Sequence, residues 1–168
     1  MKIALELERL LKYAGATVIL TRTDEYGISG LENATIRQKH RADLRNRVKI
    51  GNDSNADIFV SIHLNKIPQK QYSGWQTFFK SGNAQSQKLA ESIQQGLNVT
   101  MKRENKREPA KISGIYIVDN VRIPITIVEC GFLSNYEELQ LLITEEYQSK
   151  LAKGIFRGIV DYFSESTI

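Results

Sequence analysis

Ala56-Asp57-Ile58-Phe59-Val60-Ser61-Ile62-His63 contains a nearly unbroken apolar run, Ile58 to Ile62, that ends on a histidine. A short run rich in β-branched and aromatic side chains reads as a strand buried on both faces. Such strands belong to sheets covered by helices on either side. Upstream, Ile36 to about Ser54 reads as a strongly charged helix. The polar stretch 23–35, with Gly27 and Gly30, separates it from Ala16-Thr17-Val18-Ile19-Leu20-Thr21, a second expected buried strand leading to Arg22. Before that, Ile3, Leu7, Leu10, Leu11 and Ala14 recur at helical spacing, and Gly15 stands where a glycine ends a helix. No Ser, Thr, Asp or Asn cap precedes this helix, whose pattern is under way by the third residue, so a missing beginning is expected.

Downstream, Gly74-Trp75-Gln76-Thr77-Phe78-Phe79 predicts a strand and Asn83 to Met101 a helix with Leu89, Ile93 and Leu97 on one face. Lys102 to Lys111 is charged and reads as a mobile, solvated loop. Ile115-Tyr116-Ile117-Val118 and Ile125-Thr126-Ile127-Val128 read as short buried strands, and Tyr136 to Leu142 and Glu145 to Phe163 as helices. Strands alternating with helices predict an α/β domain, a largely parallel sheet with helices on both faces, formed by residues 1–168 as one unit.

Composition narrows the functions. The chain has 168 residues, 41% hydrophobic and 25% charged, as in an ordinary globular domain. A net charge of +4 with both signs interleaved is no nucleic-acid signature, although it favours proximity to an anionic polymer. No apolar run is long enough for a membrane span. Met1-Lys2 runs into the first helix with no signal-peptide pattern. The single cysteine, Cys130, excludes an intrachain disulfide and a cysteine-rich zinc module; its apolar neighbours predict a packed thiol. No glycine-rich loop between strand and helix suggests a nucleotide site.

Two polar residues directly follow apolar runs: His63 after Ile58 to Ile62, and Glu129 after Ile125 to Val128. Ligands of open α/β sheets bind beyond the carboxyl ends of the strands. A neutral imidazole can hold zinc, and a nearby glutamate can take a proton from water and return it to a leaving amine. The alternatives at these places are a hydrogen-bonded surface histidine and a glutamate that caps or pairs.

The motifs resemble one family. Ala56 to Asn65 is similar to the A-D-x-F-V-S-I-H-x-N segment of the zinc N-acetylmuramoyl-L-alanine amidases of the Amidase_3 family. Leu20-Thr21-Arg22 resembles its V-x-L-T-R strand. Leu44 to Asn52 resembles its L-x-x-R-x-x-x-A-N helix, with Gly51 for the usual alanine, and Val128 to Asn135 resembles its V-E-x-G-F-L-S-N segment. The four occur in order over essentially the whole chain. Ser61 to Pro68 and Ser73 to Phe79 look most like the spore-cortex, germination-specific branch.

The resemblance implies a peptidoglycan hydrolase that cuts the amide between N-acetylmuramic acid and the L-alanine of the stem peptide. It implies zinc as cofactor, His63 as a ligand, Glu129 as general base and acid, Asn65 and Arg22 as supports, and action outside the cytoplasm in cell wall or spore cortex. It also implies two further ligands, a histidine in D-P-G-H-G-G and a glutamate, that would precede Met1. His40, among Arg37, Lys39 and Arg41, reads as solvated. The expectation is therefore weak zinc binding by this chain alone, and a sheet completed by a partner protein or by self-association. The competing reading is a catalytically inactive amidase-like domain that binds peptidoglycan or a partner. Trp75 and Phe79 read as core, Gly131 as a tight turn behind Glu129, and the loop Lys102 to Arg107 as solvated rather than in contact with glycan or peptide carboxylates.

Overall fold

The computed structural model describes residues 1–165 of the chain. Helix α1 (Lys2–Tyr13) leads through an extended segment to α2 (Ile36–Asp53), β1 (Phe59–Asn65), β2 (Gln76–Lys80) and α3 (Ala84–Met101). Then follow β3 (Ala110–Ile112), α4 (Tyr116–Asn120), β4 (Ile125–Phe132), α5 (Tyr136–Leu142) and α6 (Glu145–Ser164). The sheet order is β1-β4-β2-β3. β1 is parallel to β4 and β2 to β3, whereas β2 runs antiparallel to β4, so the sheet is largely but not purely parallel, with its one antiparallel pairing at the centre.

Alternation along β4 divides the core. Val128 and Cys130 face Trp75, Leu89, Ile93, Leu97, Leu151 and Ile155, beneath α1, α3 and α6. Ile125 and Ile127 face Val48, Ile117, Val118 and Val121 from α2 and α4. Helices therefore cover both faces, and Cys130 and Trp75 are fully buried packing residues, as expected. Local signals set the helix limits. Gly15 takes φ +88° and its N–H donates to the Lys12 carbonyl, ending α1. Thr35 and Gln38 form a reciprocal capping box at the start of α2.

Two expected strands are not strands. Ile115–Val118 lies mostly in the short helix α4, entered after Gly114 at φ +76°. Its Ile117 and Val118 are buried through helical packing on α2, and a four-residue apolar run fits either conformation. Ala16 to Thr21 forms no strand and is partly exposed, with Ile19 51% accessible. Among the described residues it has no neighbouring strand. Instead, a groove of about 1960 Å³ opens between this segment and the outer edge of β1, lined by Val18, Leu20, Ile58, Val60 and Ile62 among others. α2 holds the far wall in place: Arg47 Nη1 donates to Thr21 Oγ1 at 2.9 Å and its Nε donates to Asp43 at 2.6 Å. Asp43 also accepts from the Ile28 N–H, and Asn46 donates to the Ile28 carbonyl.

Gly51 has a reason visible in the packing. A Cβ there would lie 2.7 Å from the Phe59 ring at the start of β1. Gly51→Ala is expected to cost about 1–2 kcal/mol by overpacking. Thermal melts of this variant alone and with Phe59→Val check the cause, because the smaller side chain should restore most of the loss.

Candidate active site

The sheet brings the two residues read from the sequence onto one rung. In the β1/β4 pairing His63 stands opposite Glu129, and in the β4/β2 pairing Glu129 stands opposite Gln76. Cross-strand partners share a face. His63, Glu129 and Gln76 therefore lie abreast, on the face that carries Phe59, Ile127 and Phe78 deeper in the sheet. The rung is near the carboxyl ends of the parallel strands β1 and β4, where α/β sheets bind ligands.

Both residues sit inside strands rather than just past them, which corrects the boundaries expected from sequence. β1 continues to Asn65 and β4 to Phe132. Past Glu129 the register slips: the step from His63 to Asn65 is matched by the longer step from Glu129 to Phe132. This bulge re-aims the end of β4. Gly131 belongs to the bulge rather than to a free turn, and a Cβ on it would lie 3.0 Å from the Glu138 carboxyl carbon. Glu138 is fully buried; its two oxygens accept from the Gly74 and Phe132 N–H groups, each at 2.7 Å. This carboxylate, unnoticed in the sequence, fastens the loop before β2 to the end of β4. Asn135 caps the helix that carries it, its Oδ1 accepting from the Glu138 N–H at 2.9 Å.

The electrostatics of the rung favour a neutral imidazole beside a carboxyl group that readily exchanges a proton. The His63 ring opens on the groove, with Nε2 3.0 Å from Ser61 Oγ. Desolvation by the groove walls, with the Arg47 and Arg22 cations, holds its pKa below the usual value. Glu129 is half-buried; its Oε2 is shielded from water and has no hydrogen-bond partner among the described residues. Burial raises its pKa from 4.5 to about 7. A buried acceptor without a partner is costly, and a group poised near neutral pH suits proton transfer. Arg22 lines the same groove and donates to the Glu25 carbonyl. By strand alternation Asn65 shares His63's face, and its carbonyl accepts from the Leu133 N–H. His40 is exposed on α2.

A zinc site needs about three protein donors. Among the described residues no group of three His, Cys, Asp or Glu side chains is placed to hold a metal. His63 suits a metal ligand, but the described residues do not complete the set.

The charged stretch after α3 is solvated as expected at Lys102, Arg103, Glu104, Lys106 and Glu108, but Asn105 and Arg107 are tied down. Asn105 Nδ2 donates to the Trp75 carbonyl, Gln94 Nε2 donates to the Arg107 carbonyl, and Arg107 reaches the Ser73 carbonyl and Gln76 Oε1. The segment is therefore pinned against the start of β2, beside the rung.

Residues 1–161 match the N-acetylmuramoyl-L-alanine amidase family Amidase_3. The germination-specific N-acetylmuramoyl-L-alanine amidase of Bacillus subtilis is 37% identical over 98% of this chain and 69% of its own length. Among solved structures, the CwlD amidase of Clostridioides difficile, determined in complex with the GerS lipoprotein, superposes with a TM-score of 0.95 at 42% identity, covering 98% of this chain and 84% of that one. An N-acetylmuramoyl-L-alanine amidase from Clostridium difficile 630 superposes with a TM-score of 0.82 at 29% identity, covering 97% and 81%.

Proposed function

Since the chain belongs to the Amidase_3 family of N-acetylmuramoyl-L-alanine amidases, we propose that the His63–Glu129 rung is the centre at which it cleaves the amide between N-acetylmuramic acid and the stem-peptide L-alanine. The observation that carries this is the juxtaposition itself: a neutral imidazole and a partnerless, half-buried carboxyl group on adjacent parallel strands.

Glu129 takes the proton from the attacking water and returns it to the departing L-alanine nitrogen, so it begins as base and ends as acid. Its raised pKa serves both halves, because neither protonation state is far from stable at neutral pH. His63 is held neutral and serves as a metal ligand; Arg22 and Asn65 support the site. Zinc would be the cofactor, with His63 as one of its ligands, and would supply Lewis-acid polarisation of the scissile carbonyl.

The groove outside β1 runs alongside His63. It exposes an unpaired strand edge, the arrangement that accepts an added strand. A strand from a partner protein or a second copy laid along this edge would extend the sheet beside His63. The substrate, peptidoglycan, places the reaction outside the cytoplasm, in cell wall or spore cortex. No described helix is long and apolar enough to cross a membrane.

Zinc titration followed by metal analysis tests the cofactor assignment. The 168-residue chain alone should hold much less than one zinc per chain, and His63→Ala should abolish the remainder. No zinc bound at any concentration, or zinc binding indifferent to His63, would contradict it.

A further inference from the structure

Arg107 is a cation held beside the catalytic rung with no counter-ion among the described residues. Its guanidinium lies 4.5 Å from the centre of the Phe132 ring and 5.3 Å from that of Tyr72. Nε donates to the Ser73 carbonyl at 3.0 Å and Nη1 to Gln76 Oε1 at 3.1 Å. Those bonds fix the plane of the group and leave Nη2 uncommitted among the described residues. The nearby buried carboxylate of Glu138 is not its partner, because both its oxygens are taken by backbone N–H groups. Stacking on two rings while aimed by two hydrogen bonds pre-organises the guanidinium, the state in which arginine recognises carboxylates well. Tyr72 is 44% exposed, so the stack lies at the surface rather than in the core.

Its place fits the substrate. Gln76 stands directly across from Glu129, and strands lie about 4.8 Å apart, so the guanidinium beyond Gln76 is within roughly 10 Å of the Glu129 carboxyl group. An extended peptide advances about 3.5 Å per residue, which puts the second stem residue about 7 Å from the scissile carbonyl. That residue, a γ-linked glutamate, bears an α-carboxylate unless it is amidated. We infer that Arg107 is a specificity-determining residue that binds the carboxylate of the second stem-peptide residue on the leaving side of the cut. The inference rests on the amidase reading of the rung.

The test titrates the protein with two probes, L-alanyl-γ-D-glutamate and its amidated counterpart L-alanyl-D-isoglutamine, and reads affinity by NMR. The wild type should prefer the carboxylate probe by about tenfold or more. Arg107→Gln should bring the ratio close to one, and Arg107→Lys, which keeps the charge but not the planar fork, should leave an intermediate ratio. The lysine variant also serves if the glutamine variant fails to fold. A wild-type ratio near one, or a ratio unchanged in either variant, overturns the inference. Parallel digestion of the muramoyl forms by protein shown by metal analysis to carry zinc separates the two claims. A preference without cleavage removes the amidase reading of the rung and leaves a carboxylate site, whereas cleavage without preference removes the Arg107 assignment alone.

Discussion

Glu129→Gln is expected to abolish cleavage while making the folded chain more stable at alkaline pH. Loss of a positioned general base and acid lowers turnover by about a hundredfold to ten-thousandfold. The stability effect follows from the raised pKa. In the unfolded chain Glu129 ionises near 4.5, whereas in the fold it holds its proton until about 7. Between those values the folded state binds more protons, so stability falls as pH rises, and above 7 the whole penalty is present. Glu129 is only half-buried and water screens part of the charge, which brings the expected penalty to about 1–2 kcal/mol. Denaturant unfolding of the metal-free protein at pH 5 and pH 8 should show the glutamine variant gaining on wild type between the two. Equal gains at both pH values, or a variant less stable at pH 8, would show that Glu129 is not an uncompensated buried carboxylate.

Gly158→Ala should destabilise the protein more than the same single-methyl addition at Gly51. Gly96 on α3 meets Gly154 and Gly158 on α6, and the two backbones approach so closely that no side chain fits between them. A Cβ at Gly158 would lie 2.3 Å from the Ile93 Cα and 2.5 Å from the Ser92 carbonyl oxygen. These are backbone atoms of a helix whose Leu89, Ile93 and Leu97 are fully buried, so relief requires moving α3 or α6 as a body. Overpacking of this kind costs about 3 kcal/mol or more. In a chain of this length that lowers Tm by about 10 °C. Thermal denaturation followed by circular dichroism checks it, and a fall of only a degree or two would mean that the helices separate easily.

Much of this architecture is legible in the sequence, for a local reason. Ile58 to Ile62 and Ile125 to Val128 are apolar enough to declare strands, although β1 lies at an edge of the described sheet and is only partly buried, and Ile36, Asn83 and Glu145 mark helix starts to within a residue of those observed. What escapes is decided by neighbours in space. Ile115–Val118 has strand composition but coils into α4, because its buried residues meet α2. Ala16 to Thr21 has a strand pattern but, among the described residues, nothing to pair with. His63 and Glu129 stand out because each follows an apolar run, yet their sharing a rung depends on a parallel pairing between segments more than sixty residues apart. Arg107 is hidden by its charged neighbours. Its contacts with Phe132 and with Tyr72 and Gln76 come from two distant parts of the chain, and composition around Arg107 suggests only a solvated loop.

The most direct test of the central claim is mass spectrometry of purified peptidoglycan after incubation with protein shown by metal analysis to carry zinc. The account predicts stem peptides released with a free L-alanine amino group and glycan strands of unchanged length, and no release by the Glu129→Gln variant. New reducing ends on the glycan, cuts elsewhere in the peptide, or undiminished release by the variant would contradict it.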